Sequence, residues 1–345
     1  MENLKKLFSK KKVLITGHTG FKGYWLTFIL LTLNARVYGI SLKKYPRINL
    51  FKNYKNKNLK NYYFDIRNIK KLKKLVNTIN PDYVFHLAAQ SLVIKSQKKL
   101  RETLDVNILG TINVLESLKN LRNLKLIFIT TTDKVYSQNK NKIFYKEKDI
   151  LNGDDPYEVS KVTQDNLSKL YFNYVFKNKV GILVARAGNV IGGADFSDNR
   201  ILPDIIKSYF YKKKLILRNP KSVRPFQDIL DCLINYLNLI WKLRKSKSFH
   251  CFNVGPKKNN HINVKKLASF FLSKNQIKIS TKKNKFKEKK YLYLDTKKIR
   301  SKITVYDSPL DSTVGRILTW YKIFYQKREN INNLSIRQIK DYLNV

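Results

Sequence analysis

Lys12–Leu26 reads KVLITGHTGFKGYWL, and the fold turns on it. Lys12–Thr16 (KVLIT) is a short apolar run that stops at Gly17, and the apolar spacing of Trp25–Thr32 is helical. Between them stand Gly17, Gly20 and Gly23, spaced G-x-x-G-x-x-G. Glycines between a strand and a helix permit a tight turn, close approach of backbone to a pyrophosphate, and close helix–strand packing. The helix N-terminus adds N–H groups and the positive end of its dipole. An ordinary strand-to-helix turn can carry the same glycines, and a glycine triad alone is a weak signal. The strand before and the helix after favour a dinucleotide site.

Working outward, the first third alternates strand-like and helix-like stretches. Arg36–Ile40, Asn61–Asp65, Tyr83–Ala88, Lys125–Thr130 and Val180–Ala185 read as strands; Asn68–Ile79, Val106–Leu118 and Pro156–Phe176 read as helices. Such alternation predicts an α/β fold with a Rossmann-like, doubly wound parallel sheet. After Arg186 the pattern changes to GNVIGGADFSDNR, a helical stretch Ile201–Tyr211, short strands and a helix Leu230–Leu243. Lys282–Lys290 (KKNKFKEKK) is nearly all charged and reads as a loop or exposed edge. There are no repeats and no Gly/Ser linker. We therefore expect a dinucleotide-binding domain over 1–185 and a smaller, interwoven α/β substrate-binding domain over 186–345, with some segments returning to the first.

At 345 residues with 43% apolar composition, the chain can bury a sizeable core, which excludes wholesale disorder. Two cysteines make no disulfide framework, and four scattered histidines offer no metal spacing. The residues after Met1 lack the apolar core of a signal peptide, and Trp25–Leu33 is too short to span a bilayer. These features predict a cytoplasmic protein without a membrane segment. The formal charge of +46, from 70 Lys and Arg against 24 Asp and Glu, invites a nucleic-acid reading. Yet the lysines run from Lys5 to Lys340 without one basic arm, amid abundant Asn and Ile, as drift in an AT-rich coding sequence would leave them. We read most as solvated surface whose field favours an anionic small substrate.

Two further tracts carry chemistry. Thr130–Lys134 (TTTDK) ends the fifth strand, and Tyr157–Lys161 (YEVSK) opens the next helix. In Y-x-x-x-K both side chains lie on one helical face. There a lysine ammonium can bind cofactor ribose and lower the tyrosine pKa, so that Tyr157 exchanges a proton with a substrate hydroxyl. A surface pairing is the bland alternative, as it is for the Asp133–Lys134 turn. The end of the second strand, GISLKK, has no acid for the adenosine ribose, and Lys43 and Lys44 stand where a 2′-phosphate would be met; being two lysines among many, they leave NAD as the expected cofactor. Asp65 and Ile66 follow the third strand, where a carboxylate can approach adenine or cap a helix. His86, in an apolar strand, reads as a satisfied core histidine and His18 as a turn residue; Trp25, Trp241 and Trp320 read as packing.

The order of glycine turn, hydroxyl-bearing strand end and Tyr-Lys helix resembles the extended short-chain dehydrogenases/reductases. GHTGFKGYWL (Gly17–Leu26), FHLAAQSLV (Phe85–Val93), TTDKVY (Thr131–Tyr136), DDPYEVSK (Asp154–Lys161), RAGNVIGGADF (Arg186–Phe196), RILPDII (Arg200–Ile206) and RNPKSVRPFQDILD (Arg218–Asp231) resemble the CDP-glucose 4,6-dehydratases among them. Simple epimerases usually lack the Asp-Lys pair. The resemblance implies C4 oxidation, C5/C6 elimination and hydride return to C6 of CDP-glucose, in deoxysugar synthesis for cell-surface polysaccharide. It implies catalysis by Thr132, Asp133, Lys134, Tyr157 and Lys161, with Asp133 the acid at O6 and Lys134 the base at C5. Gly17, Thr19, Gly20, Phe21, Gly23, Asp65, Ile66, Ala88, Ala89, Gln90, Thr130, Tyr157 and Lys161 would hold NAD. Asn189, Arg200, Leu202, Arg218 and Arg224 would hold the substrate, the last two arginines at its pyrophosphate. A homo-oligomer is implied, with no specific nucleic acid. This chain departs from the pattern at Ser91 (usually Pro), Phe226 (usually Trp) and Asp228 (usually His). The rivals are a 4-epimerase, a dehydratase for another nucleotide sugar, and a basic nucleic-acid-binding protein on a Rossmann scaffold.

Overall fold

A computed structural model describes all residues except 44–47, 49, 52, 138–143, 258–260, 273–278, 282–291 and 345. Lys44 and the charged stretch Lys282–Lys290 therefore lie outside the described residues. Seven parallel strands form the main sheet, in the order Phe249–Val254, Gly181–Ala187, Leu126–Thr130, Tyr83–His86, Lys12–Thr16, Arg36–Ser41 and Leu59–Tyr63. The first three strands of the chain grow the sheet in one direction and the later four in the other. A crevice thus opens at the carboxyl ends of Lys12–Thr16 and Tyr83–His86, where a doubly wound sheet receives its ligand.

Alternate side chains of the buried strands feed two cores. Leu14, Val84, Ile127, Ile129 and Ile182 meet Leu72, Val76, Val114 and Leu118 on one face. On the other, Val13, Ile15, Phe85, Phe128 and Leu183 meet Phe28, Ile29, Leu233 and Leu237, all but excluded from solvent. Helix Ile229–Leu243 packs under the sheet beside helix Phe21–Thr32, and the C-terminal helix Ile331–Leu343 also packs on Phe21–Thr32. Outside the main sheet lie short two-stranded pairs, among them Leu215–Leu217 with Ile279–Thr281 and Val223–Pro225 with His261–Asn263.

The structure moves several predicted boundaries. The third strand is Leu59–Tyr63 rather than Asn61–Asp65, because Asp65 turns back to accept from the Arg67 amide at 2.9 Å. Asn68, not Asp65, caps the following helix by accepting from the Lys71 amide. The fourth strand stops at His86 instead of Ala88; beyond it the Ala88 amide reaches the Thr16 hydroxyl, which ends the ladder. The predicted helix Val106–Leu118 begins as a π-helical turn, Asp105–Leu109, and Pro156–Phe176 ends in another, Phe172–Phe176. Such insertions leave no trace in apolar periodicity.

Candidate active site

The glycine turn works through absent side chains. Gly17 has φ +79°, and a Cβ there would lie 2.8 Å from the Ala88 amide nitrogen. At Gly23 a Cβ would fall 2.2 Å from the Gly17 carbonyl oxygen and 2.6 Å from the His18 Cα. Both obstacles are backbone, so helix and turn would have to separate. Gly23→Ala is therefore expected to lower stability by at least about 1–3 kcal/mol, the scale of overpacking, and to weaken dinucleotide binding. An unchanged melting temperature together with unchanged cofactor affinity would refute the close-approach role.

His18 is more than a turn residue. Its ring is buried against Phe51, with Nε2 2.9 Å from Asn61 Oδ1 and Nδ1 3.0 Å from Ser41 Oγ. Burial lowers its pKa to about 4, so it is neutral near pH 7. Ser41, at the end of the second strand, also accepts from the Thr19 amide at 3.1 Å. The strand end that often presents a carboxylate to ribose here presents a hydroxyl turned back onto the turn.

Thr130 and Thr131 lead from the fifth strand into a 3-10 turn, Asp133–Val135, capped by the Thr132 hydroxyl at the Lys134 amide. Thr132 Oγ1 also donates to Asp133 Oδ1 at 3.1 Å, and Asp133 is buried. Helix Pro156–Tyr171 starts where Asp155 accepts from the Glu158 amide, with Pro156 in its first turn. This start sets the Tyr157 hydroxyl within hydrogen-bond reach of Thr132. Lys161, one turn on, donates to the Thr130 carbonyl at 3.2 Å and to Gln164 Oε1 at 2.7 Å.

The electrostatics correct one expectation. Burial pushes the Tyr157 phenol up to about 12; Arg200 and the Thr132 hydrogen bond pull against it without prevailing. Burial, followed by the nearby charge of Lys22, brings Lys161 down to about 7. Lys161 is bonded to Thr130 and Gln164 and is not what sets the tyrosine's pKa.

Beneath the turn, Asp165 binds Arg186 through two contacts of 2.8 Å and accepts from the Thr131 hydroxyl at 3.2 Å. Arg186 also donates to the Tyr136 hydroxyl and the Glu147 carbonyl, both at 3.0 Å. These interior contacts hold the TTTDK segment from below. His86 Nδ1 lies 2.7 Å from Thr16 Oγ1 and Nε2 lies 2.9 Å from Thr111 Oγ1, the satisfied core role its strand predicted. Trp25 and Trp320 are buried packing residues, and the Trp25 indole donates to the Gly193 carbonyl.

A cleft of about 520 Å³ runs from the glycine turn past Tyr157 and Thr132 to the segment after Arg186, within the ordinary range for small-molecule sites. Every candidate residue from the sequence lines it except Gln90. Gln90 is a correction: its amide donates to the Leu92 carbonyl and Thr103 hydroxyl, and its backbone is held by Asn107, so it braces the loop behind Ala88 and Ala89. Asp65 does line the cleft but is already paired with Arg67 at 2.7 Å.

On the substrate side, Arg200 donates to Ser91 Oγ at 2.9 Å, a bond that the usual proline could not accept. Asp228, in place of the usual histidine, caps helix Ile229–Leu243 and pairs with Arg316 at 2.6 Å. Phe226 is buried packing. Arg224 is buried and donates to the Val223 carbonyl, while Leu202 closes the cleft wall. Arg218 is held by the Asn199 carbonyl at 2.7 Å.

In the sequence Lys22 shows only as one residue of the glycine tract. Its half-buried side chain lies in the cleft wall, its ammonium donates to the Tyr236 hydroxyl at 3.2 Å, and desolvation lowers its pKa. Asp165 and Gln164 were readable as i+4 and i+3 partners of Lys161 on one helix face, though spacing alone does not say what they touch.

Against this geometry, the sequence pattern of the GDP-mannose 4,6 dehydratase family matches residues 14–314. The chain belongs to that family. A CDP-glucose 4,6-dehydratase of Salmonella typhimurium is 32% identical over 98% of both chains. Among solved structures, an epimerase of Methanothermobacter thermautotrophicus superposes with TM-score 0.84 at 19% identity, covering 98% of this chain and 97% of its own. A dTDP-glucose 4,6-dehydratase of Bacillus anthracis, solved in complex with NAD, does so with TM-score 0.75 at 17% identity, covering 90% and 96%. At those identities the structures speak for the fold, which is the Rossmann-like sheet the sequence predicted. Family membership puts the glycine turn, the TTTDK strand end and the Tyr157 helix within one matched region.

Proposed function

We propose that this protein is a CDP-D-glucose 4,6-dehydratase, converting CDP-D-glucose to CDP-4-dehydro-6-deoxy-D-glucose and water. The observation that carries the reading is the meeting of Tyr157 with Thr132, beside Asp133 and Lys134, in one cleft with the glycine turn. The Salmonella typhimurium relative, alike over nearly its whole length, supports CDP-glucose as the substrate.

NAD fits the cleft: Gly17, Gly20 and Gly23 clear the backbone for a pyrophosphate, Ala88 abuts the turn, and Ala89 lines the cleft beside it. NAD would accept the C4 hydride and return it at C6. Because nothing is consumed over the cycle, catalytic amounts should suffice. Tyr157 takes the O4 proton while Thr132 holds O4; Arg200 and Thr132 already favour its ionised form. Oxidation at C4 acidifies the C5 hydrogen, since the resulting carbanion delocalises into the ketone. Lys134 removes that proton and Asp133 protonates O6 as water leaves. Arg224 faces the diphosphate as the sequence reading has it; Arg218, expected beside it, is tied to the Asn199 carbonyl and stands 3.8 Å from Asp204, so we place Arg200 there in its stead.

Incubation with CDP-, UDP-, dTDP- and GDP-glucose, with alkaline absorbance of the 4-keto product as readout, tests the reading. Turnover is expected with CDP-glucose and trace NAD. Epimerised hexose instead of 4-keto product would favour the 4-epimerase, and salt-sensitive RNA or duplex binding without turnover the nucleic-acid rival.

Leu100, Leu109, Val159, Leu170 and Tyr174 are exposed on the neighbouring helical segments 100–109 and 156–176. We read this apolar face as the contact with a second copy of the chain. Among the described residues no helix is long and apolar enough to cross a membrane. Cys232 and Cys251 are buried free thiols, in keeping with the cytoplasm.

A further inference from the structure

A nucleotide sugar with its hexose at Tyr157 must lay its base beyond the diphosphate. The cleft continues there, along the outer strand Leu215–Leu217 and the helix Ile201–Tyr211. Ile216 is 54% exposed on that wall, a shelf on which a planar ring can rest. Two polar side chains at the shelf keep hydrogen-bonding capacity unused. Asn219 Nδ2 is buried and has no hydrogen-bond partner among the described residues. The Asp204 carboxylate accepts no hydrogen bond among them; it stands 3.8 Å from Arg218, itself tied to Asn199. A buried amide without a partner is costly, so a ligand that pairs with it recovers that cost on binding.

We propose that Asp204 and Asn219 read the nucleobase of the substrate and select cytosine over uracil and thymine. The inference rests on the nucleotide-sugar reading above and deepens it. Cytosine presents an amino donor at C4 beside acceptors at N3 and O2; uracil and thymine present an acceptor at C4 and a donor at N3. A carboxylate facing C4 pairs with the amino group and repels a carbonyl, while an amide donor facing N3 or O2 completes the cytosine pattern. Arg218 keeps Asp204 in place without occupying it. Rejection of the wrong base comes as much from oxygen facing oxygen as from the lost bond.

The test measures kcat/KM for CDP-glucose and UDP-glucose, and calorimetric Kd for CDP and UDP, in the wild type, Asp204→Asn and Asn219→Leu. Asp204→Asn should reduce the CDP:UDP ratio about tenfold to a hundredfold, because its amide can donate to O4. Asn219→Leu should weaken CDP at least about fivefold. If Asp204→Asn fails to fold by thermal melting, Asn219→Leu decides alone. A CDP-selective wild type whose ratio survives in every folded variant overturns this inference and leaves the dehydratase reading standing. CDP selectivity that falls in the variants, in a protein that dehydrates no nucleotide-glucose, sinks that reading and upholds this one. A wild type favouring UDP or UDP-glucose overturns both the cytosine selection and the CDP-glucose assignment.

Discussion

Tyr157→Phe is expected to fold, to bind cofactor and CDP-glucose, and to lose at least about a hundredfold in turnover, the scale of a positioned acid/base. The side chain is 9% exposed and its ring stays in the variant, so packing changes little. What goes is the hydroxyl beside Thr132. With its pKa up to about 12, the phenol is overwhelmingly protonated near pH 7. It must therefore lose its proton before it can accept that of O4, and Arg200 and Thr132 already favour that ionisation. Mixing the variant with substrate should show no reduced-nicotinamide absorbance in the near ultraviolet. Turnover within a few-fold of wild type would remove Tyr157 from the proton path. Thr132→Val separates positioning from proton transfer: it should raise KM and lower kcat, with the reduced-nicotinamide signal slower but present.

How much of this was legible beforehand depends on the range of the forces involved. The glycine turn was legible because its requirement is local: three residues without Cβ, a strand before and a helix after. Tyr157 and Lys161 were legible as a pair on one helix face, since that spacing follows from geometry alone. The partner that holds Lys161 was not, because the Thr130 carbonyl lies on a strand 31 residues earlier. Nor was the sign of the Tyr157 shift, which burial sets and no local pattern reports. Phe249–Val254 joins the main sheet beside Gly181–Ala187, far enough along the chain that periodicity says nothing about the pairing. Lys22 looked like any of the chain's many lysines until Tyr236, 214 residues away, covered it. Gln90 belongs to a tract that resembles its family well, yet its side chain turns to Thr103; motif likeness places backbone more faithfully than it aims amides.

Asp133→Asn and Lys134→Met are expected to separate oxidation from elimination. Both residues sit on the turn that Thr132 caps, next to the tyrosine that takes the O4 proton but outside its contact with Thr132. If they act only after C4 is a ketone, each variant should still reduce bound NAD when CDP-glucose is added, then stall with 4-keto-6-deoxy product down at least about a hundredfold. Asparagine keeps the Oδ1 that accepts from Thr132, so the turn survives while the acidic proton is lost. The two variants should differ in one respect. In deuterated water, Asp133→Asn retains Lys134 and should wash solvent deuterium into C5 of recovered sugar, whereas Lys134→Met should leave that hydrogen in place. Exchange in both would place the base elsewhere. Absence of the reduced-nicotinamide signal in both would mean that the pair shapes the site before oxidation. Only the stalled reduction, with exchange in one variant and not the other, assigns acid and base to these two side chains in that order.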